Sequence, residues 1–177
     1  MALDQERYSH RASVLLLGKS LLFALLAPGT VAGYLPWLIT RGTPMGSTGY
    51  VLAAAALFLA GGLIDLWCIW DFAILGRGTP APIDAPRRLV AQGPYRYVRN
   101  PMYLGVLAIL LGWALLDRGL TLLLYALAVG AAFHAFVLLY EEPHLRKSFG
   151  EDYERYCVLV RRWIPAARSR PRDTAST

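Results

Sequence analysis

The sequence predicts an all-α, polytopic membrane protein with about four transmembrane helices. Hydrophobic residues make up 56% of the 177 residues, and charged residues only 17%. The apolar residues cluster in runs long enough to cross a bilayer, and polar, basic or proline-rich segments separate these runs. We therefore expect a single membrane domain over residues 1–177.

The first part of this domain, residues 13–75, is predicted to hold two helices. The apolar run over 13–39 is too long for a signal-peptide core and lacks a clear cleavage site, so it indicates a retained first membrane helix. Pro28 is expected to kink or split that helix, because proline has no N–H to donate. A loop rich in Gly and Pro then leads into the second apolar run, over 49–75.

Two acids lie within the second run. Asp65 and Asp71 are functional candidates, since ionisable groups within a membrane helix are costly. Lys19 on the first helix is a possible partner for Asp65, and such a pair would be structural. Solvation is the alternative explanation for Asp71, which lies close to the polar end of the run.

The second part of the domain, residues 76–165, contains a tight helical hairpin. Three prolines between 76 and 86 exclude a helix there and predict an extended strap. A basic and aromatic stretch over 89–103 leads into an apolar run, and only three polar residues separate that run from the next. Helices joined so closely must be antiparallel neighbours. The acidic pair Glu141-Glu142, which ends the second arm, therefore lies at the same end of the hairpin as the stretch 89–103.

The C-terminal part is predicted to be one amphipathic helix followed by a tail. Pro143 disturbs the preceding helix, and apolar residues recur at spacings of three and four over 144–165. This helix is expected to lie on the membrane surface or to fold back over the hairpin. Residues 166–177 are polar and are expected to form a disordered tail.

The distribution of positive charge predicts the orientation. With four crossings, the segments 1–12 and 76–101 and the C-terminal part share one side and hold 15 Lys or Arg residues, whereas the opposite loops hold only Arg41 and Arg118. The positive-inside rule then predicts a multi-pass protein of the inner cell membrane, with both termini and both polar segments in the cytosol.

Both polar segments have the residues for ligand binding. Arg99 and Asn100 precede a helix that Pro101 would begin, and helix N-termini attract anions; the alternative is an interfacial belt of Tyr and Arg. The acidic pair Glu141-Glu142 lies at a helix C-terminus, which disfavours anions. A cationic or donor-rich ligand would explain the pair, and so would ion pairs with the arginines at positions 96, 99 or 146.

Other chemistry is not predicted. Cys68 and Cys157 should lie at different depths, so we expect neither a disulfide nor a metal site. The net charge of +6 is explained by positive charge in the cytosolic loops and does not indicate nucleic-acid binding. Glycine-rich nucleotide motifs, HExxH and GxSxG are absent from the sequence. His134 is either a proton acceptor or a packed, neutral imidazole.

The motifs of residues 89–165 resemble those of a known family. They match the isoprenylcysteine carboxyl methyltransferase family, which belongs with the membrane phospholipid N-methyltransferases. The residues that carry the resemblance are Leu89-Val90, Gly93-Pro94-Tyr95-Arg96-Tyr97, Arg99-Asn100-Pro101-Met102-Tyr103-Leu104-Gly105, Glu141-Glu142, Leu145, Phe149-Gly150, Tyr153, Tyr156 and Pro165.

The resemblance implies S-adenosylmethionine as the cofactor, bound at the cytosolic end of the hairpin and covered by the C-terminal segment. It implies that residues 76–165 form the cofactor-binding part. The implied cofactor-binding residues are Arg87, Leu89, Val90, Tyr95, Asn100, Pro101, Met102, Tyr103 and Glu142. The implied catalytic residues are Glu141, Glu142 and Arg99.

The acceptor implied by the resemblance is a lipophilic molecule that enters from the bilayer. It would be a prenylcysteine-like carboxylate or a lipid amine or phenol; an amine or phenol would need a base, such as Glu141 or His134. Eukaryotic prenylcysteine enzymes carry His where this chain has Arg87, and Arg where it has Val137. Two other interpretations are an NADPH-dependent membrane reductase and a non-enzymatic small membrane protein. The oligomeric state is not predicted.

Overall fold

A computed structural model describes residues 18–19, 22, 25–41, 47–76 and 89–165. Within these ranges every regular element is a helix, which confirms the all-α prediction. The predicted proline-rich strap lies almost wholly outside the described residues, and so does the predicted tail over 166–177.

The described helices follow the order of the predicted apolar runs. A π-helical turn over Thr30–Tyr34 leads into α1, Leu35–Thr40. Helix α2 spans Thr48–Asp71 and continues as a π-helical turn over Phe72–Gly76. A short 3₁₀ turn over Gly93–Arg96 precedes α3, Pro101–Asp117. Helix α4 spans Leu120–Phe136 and continues as a π-helical turn over Val137–Glu141, and then come α5, Glu142–Phe149, and α6, Glu151–Leu159.

The helical hairpin is confirmed. Helix α3 ends at Asp117, Arg118 takes a left-handed conformation with φ of 55°, and α4 begins at Leu120. The N–H of Arg118 donates to the carbonyl of Ala114 at 2.9 Å, which closes the last turn of α3. Because the reversal takes so few residues, the stretch before α3 and the acidic pair after α4 lie at the same end of the hairpin.

Helix α2 packs closely along α3 because glycines remove the side chains between them. A Cβ added to Gly61 would lie 2.5 Å from the carbonyl oxygen of Gly105, and one added to Gly112 would lie 2.7 Å from the ring of Phe58. Asp65 lies in the same interface, directly against Gly105. The backbones therefore meet at a distance that larger residues would not permit.

Among the described residues, two helical stretches are long and apolar enough to cross a membrane, Thr48–Ile74 and Leu120–Phe149, whereas Pro101–Asp117 is shorter. Large apolar residues on α2, among them Leu52 and Leu59, are exposed, as lipid-facing side chains are. The described part of the chain thus has two candidate membrane spans, and the arrangement of four crossings stays a prediction.

The C-terminal part contains two helices where the sequence predicts one. Gly150, with φ of 52°, separates α5 from α6, because that conformation cannot continue a right-handed helix. After α6 the chain returns to the stretch before α3. Val98 and Arg161 form an isolated parallel bridge, and the N–H of Arg99 donates to the carbonyl of Arg161 at 2.8 Å. The segment therefore folds back over the hairpin.

Candidate functional site

A cavity of about 520 Å³ lies where the stretch 89–103 meets the far end of α4, helix α5 and helix α6. Its volume falls in the range of small-molecule binding sites. Polar residues of the stretch and of the region around the start of α5 form one part of its wall, and apolar residues of α4 and of the helical segment before α1 form another. The polar and charged lining residues are Arg99, Asn100, Glu141, Glu142 and His144. Apolar lining residues include Ala27, Val31, Ala132, Phe133 and Phe136.

The structure brings most of the sequence-predicted site residues to this one cavity. Leu89, Val90, Tyr95, Arg99, Asn100, Met102, Tyr103, Glu141 and Glu142 line it. Pro101 is buried and does not line it; it begins α3, in the first-turn position that the sequence predicts. Arg87 lies outside the described residues. That these residues bind a cofactor stays a prediction.

The turn before α3 rests on a buried acid. Gly93 has φ of 53°, and a Cβ added there would collide with the Asp71 carboxylate. Asp71 is buried, so the explanation of Asp71 as a solvated residue is wrong. Its Oδ2 has no hydrogen-bond partner within the described part of the chain. Only glycine therefore fits at the start of this turn, on steric and on conformational grounds.

Tyr95 fixes the turn to the rest of the protein. Its buried ring meets Phe72 edge to face, with centroids 5.5 Å apart. Its carbonyl accepts a 2.6 Å hydrogen bond from the hydroxyl of Tyr156 on α6. Burial raises the pKa of Tyr95 and that of Tyr156, so both phenols stay protonated near neutral pH. The Tyr156 hydroxyl thus joins α6 to the wall of the cavity as a neutral donor, and the Tyr95 carbonyl accepts.

Glu142 is buried among three arginines. Arg162 makes a two-pronged contact, with Nε at 2.5 Å from Oε1 and Nη2 at 3.0 Å from Oε2. Arg99 Nη1 lies 3.1 Å from Oε1, and Arg146 Nη2 lies 3.7 Å from Oε2. The hydrogen bond to this carboxylate raises the pKa of Arg162. Ion pairing, the alternative explanation of the acidic pair, therefore describes Glu142, with Arg162 as an additional partner.

Glu141 has a different environment from its neighbour. Its Oε2 accepts a 2.8 Å hydrogen bond from the hydroxyl of Tyr103, and no ion pair to Glu141 is found in the described residues. Both Glu141 and Tyr103 line the cavity. Adjacent acids thus differ in their contacts, since one holds arginines and the other presents a carboxylate to the cavity.

Arg99 and Asn100 link the start of α3 to the returning C-terminal segment. Arg99 Nη1 also lies 2.8 Å from Sγ of Cys157, while its buried Nε has no hydrogen-bond partner in the described part. Asn100 Nδ2 donates to the carbonyl of Arg162 at 3.3 Å. These contacts hold the segment after α6 against the polar wall of the cavity.

The two histidines near the site differ in their contacts. Nδ1 of His134 accepts a 3.1 Å hydrogen bond from Nε1 of Trp163, and His134 does not line the cavity. His134 is exposed, so this contact with Trp163 and not burial defines its environment. His144 does line the cavity, and its ring stacks on Tyr140 with centroids 6.0 Å apart.

Arg162, Trp163 and His144 are near the site but were not predicted from the sequence. Arg162 is 62 residues from Asn100, and Trp163 is 29 residues from His134, so no local periodicity relates these partners. For His144, the signal available was its spacing of three residues from Glu141, which places both on one helix face. Among the described residues, no cluster of three or more His, Cys, Asp or Glu is placed to hold a metal ion.

Comparisons with known proteins cover the same part of the chain. The family model described as phospholipid methyltransferase matches residues 50–152, from the start of α2 to the start of α6. An uncharacterised protein of Haemophilus influenzae is 36% identical over 63 residues, which are 36% of this chain and the whole of that protein. No solved structure matches the chain.

Proposed function

The chain belongs to the phospholipid methyltransferase family, and from this premise we propose that it is a membrane methyltransferase that uses S-adenosylmethionine and acts on a lipophilic acceptor. The observation that carries the proposal is the cavity, which joins a polar, charged wall to an apolar wall. We further propose that it opens toward the cytosolic face of a multi-pass protein, because the arginines concentrate at that end of the hairpin.

The polar wall suits the functional groups of the cofactor. S-adenosylmethionine carries an ammonium group, ribose hydroxyls and a carboxylate, and it supplies a methyl group on a sulfonium centre. Glu141 offers a carboxylate to the cationic or hydroxyl groups. Arg99 offers a buried Nε–H that has no partner among the described residues, and such a group suits a carboxylate.

Glu142 is proposed as a positioning residue of this site. Both of its oxygens contact arginines, so they are already satisfied without a ligand. By holding Arg99 and Arg162 it orients the Arg99 side chain and fastens the C-terminal segment beside the cavity. A direct contact between Glu142 and the cofactor is not needed for this role.

The apolar wall suits the acceptor. A hydrocarbon chain that enters from the lipid would contact Ala27 and Val31, which precede α1, and Ala132 and Phe136 of α4. Direct methyl transfer depends mainly on alignment of acceptor and donor and on exclusion of water, and an apolar wall favours that exclusion. A carboxylate acceptor needs no general base.

An amine or phenol acceptor needs a group to receive its proton. Glu141 and His144 line the cavity and can serve, whereas His134 is turned to Trp163. We therefore propose His144, and not His134, as the candidate imidazole for that step. The choice among carboxylate, amine and phenol rests on identification of the acceptor.

The test is to find which molecule becomes methylated. Membranes that contain the protein are incubated with methyl-labelled S-adenosylmethionine, and the extracted lipids are separated and identified. We expect label in a lipophilic product, with a large loss in Glu141→Gln and none in Glu154→Gln, which alters an exposed acid of the same type. Label that is no higher than in membranes without the protein, across all extracted fractions, would overturn the proposal.

A further inference from the structure

The end of α6 exposes an apolar patch where the rest of the helix is polar. Val158 is 86% exposed, Leu159 is 75% exposed and Ile164, in the segment after the helix, is 70% exposed. The opposite face of α6 is buried, with Tyr153 and Tyr156 packed in a core cluster. We call Val158, Leu159 and Ile164 the C-terminal apolar patch. Its residues contribute nothing to that core, so burial within the chain does not explain them.

The exposed residues of α6 change from acidic to apolar along its length. The first turn exposes the acids Glu151, Asp152 and Glu154, and the last turn exposes Val158 and Leu159 of the apolar patch. About seven residues separate the two ends, or roughly 10 Å of helix rise. Such a gradient suits a helix that begins in water and ends in the apolar region of an interface.

A hydrogen bond fixes the depth of the patch relative to the membrane-spanning helices. Trp163, next to Ile164, donates through Nε1 to Nδ1 of His134. His134 lies within the candidate span Leu120–Phe149, seven residues before Glu141, or roughly 10 Å along the helix axis. The segment after α6 therefore runs down beside the apolar part of the span, where tryptophan is a frequent interfacial residue.

Basic residues flank the patch. Arg155 and Arg161 are exposed on either side of Val158 and Leu159. Arg155 pairs with Glu151 at an exposed position, where such a pair contributes little and leaves the guanidinium accessible. Apolar residues between arginines match the order of acyl chains and anionic headgroups in a bilayer.

We propose that the C-terminal apolar patch is seated in the bilayer interface. Lipid acyl chains cover Val158, Leu159 and Ile164, while anionic headgroups meet Arg161. The same segment supplies Arg162, which holds Glu142 at the cavity. The bilayer thereby anchors the segment that borders the cavity. This anchoring does not depend on which reaction takes place in the cavity.

The test places an environment-sensitive fluorescent amino acid at position 159 and, as the matched control, at position 152 on the same helix. The protein is studied in nanodiscs of phosphatidylcholine and phosphatidylglycerol. Quenching by nitroxide-labelled acyl chains is compared with quenching by aqueous iodide. We expect nitroxide to quench the probe at 159 more than the probe at 152, and iodide to do the reverse. Both native side chains are exposed, so both probes should be tolerated.

Two outcomes would overturn the proposal. Equal iodide quenching at both positions would place the patch in water. Protection of position 159 from both quenchers would show that a second copy of the chain, or residues 166–177, covers it. For the headgroup contact, Arg161→Gln should reduce nitroxide quenching at 159 when phosphatidylglycerol is present and leave it unchanged in phosphatidylcholine alone. No effect in either disc would remove the anionic headgroups from the proposal.

Discussion

Glu142→Gln should destabilise the fold markedly, because it removes the anion that three arginines share. The Glu142 side chain is 3% exposed and that of Arg99 only 10%. Breaking a buried ion pair by removing one partner costs about 3–5 kcal/mol, since the other charge stays buried. Arg146 and Arg162 are more exposed and return to water, so each adds about 0–1 kcal/mol. Glutamine keeps the size of the side chain and one acceptor oxygen, so we expect a cost at the lower end of the range for a broken buried pair, about 3 kcal/mol.

The assay is thermal unfolding of the detergent-purified protein. For a chain of this size, 1 kcal/mol lowers Tm by about 2–4 °C, so Glu142→Gln should lower it by about 6–12 °C. Glu154→Gln is the matched control, since Glu154 pairs with Arg146 at 2.8 Å but is 57% exposed. Its substitution should cost at most about 1 kcal/mol.

Equal Tm values for the two variants would refute the reasoning. They would mean that water solvates the arginines around Glu142 sufficiently when the carboxylate is absent, and that the carboxylate does not hold these arginines in place. A Tm loss confined to Glu142→Gln, with Glu154→Gln close to the unaltered chain, is the result that burial predicts.

Three further predictions concern the cavity and the helices that support it. Glu141→Gln should weaken S-adenosylmethionine binding by about 10-fold or more in a calorimetric titration, since it removes a charged hydrogen-bond acceptor, and a change below twofold would exclude a contact. Gly61→Ala should destabilise the fold through overpacking by about 1–3 kcal/mol and so lower Tm, whereas Gly62→Ala, which meets no neighbour, should leave Tm unchanged; equal effects would contradict the close packing of α2 and α3. Gly93→Ala should lower Tm more than Gly150→Ala, because both have φ near +50° but only Gly93 also meets a carboxylate; the same loss in both would leave only backbone strain.

The hairpin and the cavity wall were the predictable parts of the structure. Three residues between two apolar runs leave room only for a sharp reversal, and this local constraint brings Arg99 and Glu141 to one end without any knowledge of packing. Pro101 is likewise confirmed at the first turn of α3, because its preference depends on backbone chemistry alone.

The different contacts of the two acids were not predictable. In the sequence Glu141 and Glu142 are equivalent, whereas the structure gives one a tyrosine and the other three arginines. The decisive residue is Arg162, which arrives through the return of the chain after α6. Such long-range contacts depend on the path of the chain, and no local pattern encodes that path.

The break at Gly150 and the burial of Asp71 show two other limits. Apolar spacing continues through Gly150 with little change of phase, so periodicity predicts one helix where the backbone turns. Asp71 lies near the end of an apolar run, where solvation is the usual outcome, but the Gly93 turn covers it. In both cases a glycine with positive φ decides the result.

The most direct test is a calorimetric titration of the detergent-purified protein with S-adenosylmethionine and, separately, with NADPH. A cavity lined by the Glu141 carboxylate and by Arg99, whose buried Nε–H has no partner among the described residues, should bind S-adenosylmethionine saturably and should leave NADPH unbound. Binding of NADPH without S-adenosylmethionine would contradict the proposed methyltransferase, and binding of neither would return the polar wall to a purely structural role.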